Sequence, residues 1–252
     1  MISVTILTKN SARHIKQVLQ ALGSFPEVVV VDTGSEDDTK QIVSQFSNVV
    51  LHERDFIGFG PTHNEAALLA SFDWILSIDS DEVVSEELKE EIASIELDED
   101  SVYSFWRKNY YRGKHIKGCG WYPDRVVRMY NRKRTRFSDD LVHESIRANG
   151  CKTRALRSSV THYPYHCVGG FLQKMDMYSE LFSQQRSGKT ASMWTAISHA
   201  FFAFFKSYIL QRGWLLGAEG FEISWFNMNC VFYKYLKLRE RSLNKQHDSS
   251  VS

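Results

Sequence analysis

Proline and cysteine are scarce: the 252 residues hold four of each. The cysteines, Cys119, Cys151, Cys167 and Cys230, form no CxxC pair and have no histidines at zinc-like spacing. That excludes a zinc module and a disulfide scaffold, and leaves inert thiols in a reducing cytosol as the expectation. No window reaches ~18 uncharged apolar residues, so no spanning helix is expected. The stretch Met1 to Thr8 is too short for a secretory leader and no basic region precedes it. Neither early strand is followed by GxGxxG, which disfavours a dinucleotide site, and no GxxxxGK(S/T) occurs, which excludes a P-loop. Internal repeats are missing, and the one low-complexity stretch is a polar tail after Asn244.

Charge is present but unevenly placed. Residues 1–105 hold 6 Lys/Arg and 20 Asp/Glu, residues 106–157 hold 15 and 4, and residues 186–252 hold 9 and 4. The overall +1 therefore hides a net of −14 followed by +11 and +5. The basic middle and end are expected to meet something anionic: a phosphorylated acceptor, a membrane surface or nucleic acid. No nucleic-acid module accompanies them, so no nucleic-acid partner is expected. Hydrophobic residues at 43% suffice for one large domain.

Along the chain, Ile2 to Thr8 and Val28 to Val31 read as buried strands. The second is apolar on both faces, as in a parallel strand covered by helices. A helix is expected from Ser11 to about Leu22, a third strand at Asn48 to His52, and a helix over 62–71 after Gly58-Phe59-Gly60-Pro61. The fourth strand, Phe72 to Asp79, precedes a helix capped by Ser85 with Glu86 and Glu87 in its first turn. This β-α-β-α rhythm predicts a doubly wound α/β sheet. Beyond Ser101 the chain turns basic and aromatic, with strands at 102–106 and 125–130 and a hairpin turning at Arg112-Gly113. From Gly169 it reads helical, over 169–188, 191–212 and 221–239.

The chemistry gathers at strand ends. Asp79 and Asp81 are spaced i, i+2, which on a strand places both side chains on one face. At the carboxyl end of a sheet they would repel each other unless a cation or shared proton intervened. Hard oxygen ligands favour Mg²⁺ or Mn²⁺ together with a substrate diphosphate. The alternative is a solvated acidic turn. Asp32 ends the second strand, where it could accept from a base or ribose or simply close an Asx turn with Gly34. Asp124 lies in a loop shaped by Gly118, Gly120 and Pro123. Glu144, beside Val142 and His143 in a basic region, is a candidate general base. The aromatics at 201–205, Trp214, Trp225 and Phe226, interleaved with cations, suit a membrane interface or a packed helical pair.

Taken together, Thr8-Lys9-Asn10, Val30-Val31-Asp32-Thr33-Gly34-Ser35, Gly58-Phe59-Gly60, Asn64, Asp73 to Glu82, Gly120 to Asp124 and Val142-His143-Glu144 resemble family 2 glycosyltransferases. The likeness is nearest to the lipopolysaccharide or lipooligosaccharide core β-1,4-glucosyltransferases, and includes Tyr208 to Gly213. The resemblance implies a GT-A fold: a Rossmann-like mixed sheet flanked by helices, with residues 1–165 as the transferase domain. Within it, 1–100 would be the nucleotide half and 101–165 the acceptor half, followed by a helical C-terminal extension at 166–252. It implies a UDP-sugar donor and a divalent metal held by Asp81 and Asp79. Asp79 would also reach the ribose, Asp32 would hold the uracil, and Thr8, Asn10 and Asn64 would line the nucleotide. Glu144 would be the base, with Asp124 as second choice. Glucose is the implied sugar and a lipid-linked phosphorylated oligosaccharide the implied acceptor. The enzyme would be cytoplasmic and peripheral to the inner face of the cytoplasmic membrane, its oligomeric state open. Where the family usually has an acidic residue after Lys-Asn, this chain has Ser11. Two rivals remain: a haloacid-dehalogenase-like phosphatase, because Asp79 to Val83 matches DxDx(T/V), and a non-catalytic GT-A-like binding module.

Overall fold

The computed structural model describes residues 1–141, 144–148, 150–165, 167–186 and 188–251, with side chains to residue 244. Val142 and His143 of the expected Val-His-Glu motif lie outside the described residues. The chain divides into two compact units, Met1–Lys108 with Asp124–Tyr163, and Asn109–Pro123 with Pro164–Ser252.

The first unit opens with β1 (Ile2–Thr8), α1 (Ile15–Ala21), β2 (Glu27–Asp32), α2 (Thr39–Val43), β3 (Val49–Glu53), α3 (Phe59–Leu69) and β4 (Trp74–Ser77). These four strands are parallel in the order β3-β2-β1-β4. The run Val28 to Val31 shows why: every residue is buried, on alternate faces. Val28 and Val30 join Val4, Ile6, Leu76 and Ile78 against Val18 and Leu19 of α1. Val29 and Val31 join Ile75 against Ala66 and Ala67 of α3.

Next come β5 (Glu82–Val84), α4 (Glu86–Ser94), β6 (Ser101–Tyr111), β8 (Arg125–Asn131) and β9 (Lys152–Tyr165), with β7 (Lys114–His115) between β6 and β8. They extend the sheet as β4-β8-β6-β9-β5. β8 runs antiparallel to β4 and to β6, and β5 antiparallel to β9, so the sheet is mixed. Ser85 caps α4 as expected, accepting from the Leu88 N–H at 3.2 Å. α1 starts later than expected, because the Ser11 carbonyl, not its hydroxyl, takes the His14 and Ile15 N–H groups.

The unequal charges meet one another. Arg132 and Lys133 pair with Asp73, Arg134 with Asp100, and Arg154 with Asp98. Much of the basic middle thus neutralises the acidic first hundred residues within this unit, and is not a free basic surface.

The second unit begins with the hairpin of β6 and β7. Arg112 and Gly113 both have positive φ, 49° and 77°, the primed turn that tight hairpins favour. Helices α5 (Val168–Gln185), α6 (Met193–Phe205) and α7 (Ala218–Val251) follow, with a π-helical turn at Lys206–Leu210 and a 3-10 turn at Gly213–Leu216. Lys237 binds Asp176 at 2.7 Å, and Phe171 stacks on Phe226, fastening α5 to α7. The Tyr111 hydroxyl donates to Glu222 at 2.8 Å, tying the hairpin to α7. Among the described residues no helix is long and apolar enough to cross a membrane.

Candidate functional site

The parallel register aligns strand ends. Thr8 lies beside Asp32, and Asp32 beside Glu53, while β4 runs alongside β1 and delivers Asp79 just past its end. This is the carboxyl rim where open α/β sheets bind ligands.

Asp79 is not a lone carboxylate. Arg128 from β8 donates to its Oδ2 at 2.7 Å, and Arg107 from β6 stands 3.9 Å away. Burial disfavours its charge, but Arg128 and other cations outweigh that and hold its pKa below the usual range. Its backbone N–H donates to Glu82 Oε2 at 3.1 Å. Glu82 is fully buried, and burial together with the Asp79 charge pushes its pKa up. Arg107 binds Asp124 through Nε at 2.7 Å and reaches Glu82 at 3.4 Å. Two guanidinium groups therefore knit three carboxylates into one network.

Asp81 faces a different set. His162 Nε2 lies 3.4 Å from its Oδ1, because β5 pairs with β9 in a register that sets Glu82 opposite His162. His14 is in electrostatic contact with Asp81 and stacks on Tyr163, ring centroids 5.1 Å apart. Ser11, where an acid was expected, shares a hydrogen bond with Ser80 at 2.8 Å.

Glu144 has its pKa raised by burial; Arg128 opposes the rise and Asp79 adds to it. α3 holds the 137–141 segment that precedes Glu144 in the chain. Gly60 approaches the segment before Glu144 so closely that a Cβ would lie 1.9 Å from the Ser138 carbonyl oxygen. Asn64 donates to the Phe137 carbonyl at 3.1 Å and accepts from the Phe137 N–H at 2.9 Å. The Gly58-Phe59-Gly60 motif and Asn64 thus hold the 137–141 segment, and the Asn64 amide is occupied by that task.

Asp32 is fully buried and closes an Asx turn: Oδ1 accepts from the Gly34 and Ser35 N–H groups at 3.1 and 2.8 Å, and Oδ2 from the Ser35 hydroxyl. Asn10 sits at φ 52° and stitches this turn to β1, its Oδ1 accepting from the Glu36 N–H at 2.8 Å. Thr8 Oγ1 is buried with no hydrogen-bond partner among the described residues.

Whether a divalent ion fits can be judged from the donors. No three His, Cys, Asp or Glu side chains among the described residues gather to hold a metal by themselves. Asp81 and His162 offer two, at a 3.4 Å separation close to the ~3 Å between neighbouring ligands of an ion with ~2.1 Å bonds. Such a pair fits an ion that completes its shell with diphosphate oxygens and water. Asp79 Oδ2 is already engaged by Arg128.

Residues 3–182 match the model of Glycosyl transferase family 2. The chain belongs to glycosyl transferase family 2. An uncharacterized glycosyltransferase of Rickettsia felis is 28% identical over 98% of this chain and 92% of its own length. The lipopolysaccharide core biosynthesis glycosyltransferase LpsC of Rhizobium meliloti is 25% identical over 87% of this chain and 85% of its own. The mannosyltransferase PcManGT of Pyrobaculum calidifontis, solved with GDP-Man and Mn²⁺, shares the fold with a TM-score of 0.55 at 13% identity, covering 94% of this chain and 86% of that one. The protein is a glycosyltransferase of GT-A architecture, as its motifs implied, and the phosphatase and non-catalytic alternatives fall.

The sequence reading missed Arg107, Arg128, His162, Glu82 and His14. Only Glu82, inside the acidic motif, had a local signal. The others lie far along the chain from Asp79 and Asp81 and carry no pattern of their own.

Proposed function

We propose that this family 2 glycosyltransferase moves a hexose, glucose by resemblance, from a UDP-sugar to a saccharide hydroxyl of the lipopolysaccharide core, with inversion. The reading is carried by one arrangement: a metal-donor pair, Asp81 and His162, beside a guanidinium-held Asp79 and a carboxyl with raised pKa, Glu144. The acceptor class rests on the near full-length likeness to LpsC. A lipid-linked acceptor places the enzyme at the inner face of the membrane.

Asp81 and His162 would hold a divalent ion, and their mixed oxygen and imidazole donors favour Mn²⁺ over Mg²⁺. When bound, that ion supplies charge neutralisation for the departing diphosphate. Asp79, fixed by Arg128, would orient the ribose. Asp32 and Asn10 would shape the turn under the base, and Thr8 would line the nucleotide. Asn64 would act by holding the segment that leads to Glu144. The acceptor hydroxyl attacks the anomeric carbon; the new C–O bond forms as the bond to phosphate breaks, and its electron pair leaves on UDP. Glu144 takes the hydroxyl proton. Asp124 is the second candidate, because Arg107 already engages its carboxylate at 2.7 Å.

Thermal unfolding of the purified protein against a panel of sugar nucleotides, with and without Mn²⁺, tests this. A UDP-hexose at about 100 times its Kd is expected to add ~2.7 kcal/mol, a rise of roughly 5–10 °C, only when metal is present. A shift with GDP-mannose instead, or an equal shift in EDTA, would refute the donor or the metal.

A further inference from the structure

The second unit presents an apolar face that the catalytic reading does not use. α6 and the π-helical turn after it run without a break from Met193 to Leu210, about 27 Å at 1.5 Å per residue. Trp194, Phe201, Phe202, Phe205 and Ile209 recur at helical spacing on its outer side, and Leu210 adjoins them. They are 79%, 67%, 59%, 49%, 44% and 60% exposed. Trp214 and Trp225 extend the patch at 54% and 47%. The opposite side, Ala196, Ala200 and Ser207, is buried. So many exposed large apolar side chains on one element mark an interaction face.

Charge decides the occupant. From residue 181 to 218 the chain holds Arg186, Lys189, Lys206 and Arg212 and not one Asp or Glu. A symmetric contact with a second copy would set these cations against their own likeness. An anionic bilayer meets both features, taking phenyl rings at the acyl boundary, tryptophans at the headgroup level and cations at the lipid phosphates. No helix among the described residues can cross a membrane, so such an element lies in the interface.

We propose that α6, its π-helical continuation and the turn carrying Trp214 form an interfacial anchor for anionic phospholipid membranes. The anchor supplies the membrane partner that a lipid-linked acceptor requires, and to that extent rests on the functional reading above. Its own warrant is surface chemistry of the second unit.

The experiment is cosedimentation of the full chain with phosphatidylcholine vesicles, with and without phosphatidylglycerol, beside sugar transfer to a soluble acceptor. The protein should pellet with the anionic vesicles, and Phe201→Ser/Phe202→Ser/Phe205→Ser should weaken that binding roughly tenfold or more. Lys189→Glu/Lys206→Glu should remove the preference for phosphatidylglycerol and flatten the salt dependence. All five side chains are exposed, and circular dichroism of each variant checks the fold. Indifference of the parent protein to both vesicle types overturns the anchor, as does undiminished binding by the triple serine variant. A dimer that the triple variant dissolves, with vesicle binding unchanged, assigns the face to a second copy and also overturns it. Vesicle binding without any sugar transfer leaves the anchor standing and sinks the catalytic reading alone.

Discussion

Asp32 and Asp79 occupy equivalent places. Each follows a buried apolar run at the carboxyl end of the parallel layer, one followed by Gly34 and the other by a second carboxylate, Asp81. Their surroundings differ completely. Asp32 is satisfied within four residues, by Gly34 and Ser35. Asp79 is satisfied from across the sheet, by Arg128 on β8 and at longer range by Arg107 on β6. A locally closed carboxylate stabilises a turn. One held by distant cations, with Asp81, Glu82 and Glu144 nearby, belongs to a cluster of interacting titratable groups. The comparison predicts a split: changes around Asp79 act on turnover or on a long-range network, whereas changes at Asp32 act on local stability.

The largest effect should come from Glu144→Gln. Removing a general base is expected to lower kcat roughly 10²–10⁴-fold with little change in the donor KM. The pH profile sharpens this. Burial raises the Glu144 pKa, so the base form is lost as pH falls through a value above the ordinary glutamate range. The acid limb of kcat/KM should therefore lie above that range in the parent enzyme and be absent from the residual activity of Glu144→Gln. An unchanged limb would move the base role to Asp124.

Arg128→Met comes second. It leaves Asp79 without its 2.7 Å partner and Glu82 buried beside it. Breaking a buried ion pair typically costs ~3–5 kcal/mol. Here Arg107 remains 3.9 Å away and the Asp79 side chain is 31% exposed, so about 2–3 kcal/mol is expected, read as a fall of roughly 4–12 °C in Tm. A Tm unchanged within a degree would mean that the network contributes nothing to the fold.

The same contrast explains what was legible in the chain. Val28 to Val31 announced a doubly covered strand because burial on both faces leaves a continuous apolar run. Ser85 announced a cap, and Arg112-Gly113 a turn, because both are satisfied within a few residues. β9, Lys152–Tyr165, gave no such signal: its first half is largely exposed and carries Lys152, Arg154 and Arg157 among polar neighbours. β5 is three residues long and exists through its pairing with β9. Without that pairing, His162 has no relation to Asp81. Arg107 and Arg128 were lost in a block of fifteen cations, most of which serve neutralisation. The motif glycines were visible, but their reason, close backbone approach of the 138–141 segment, required the fold. The charge imbalance was visible too, and pointed outward when its larger part is internal.

The smallest effect, and the one that tests the other half of the comparison, is at Asp32. Asp32→Ala removes three hydrogen bonds of the turn but leaves no buried charge unpaired. The Gly34 N–H, at an exposed position, regains water, whereas the Ser35 N–H and hydroxyl are the groups left unsatisfied. A loss of about 1–2 kcal/mol is expected, seen as a lower midpoint in urea with an unchanged slope. Asp32→Asn keeps an acceptor for both N–H groups and can donate to the Ser35 hydroxyl, so it should recover most of that loss. If Asp32→Asn instead abolishes UDP-sugar binding while folding normally, the Asp32 charge itself contacts the nucleotide. The two strand-end aspartates would then be working groups alike, and the distinction between local and distant satisfaction would fail as a guide to function.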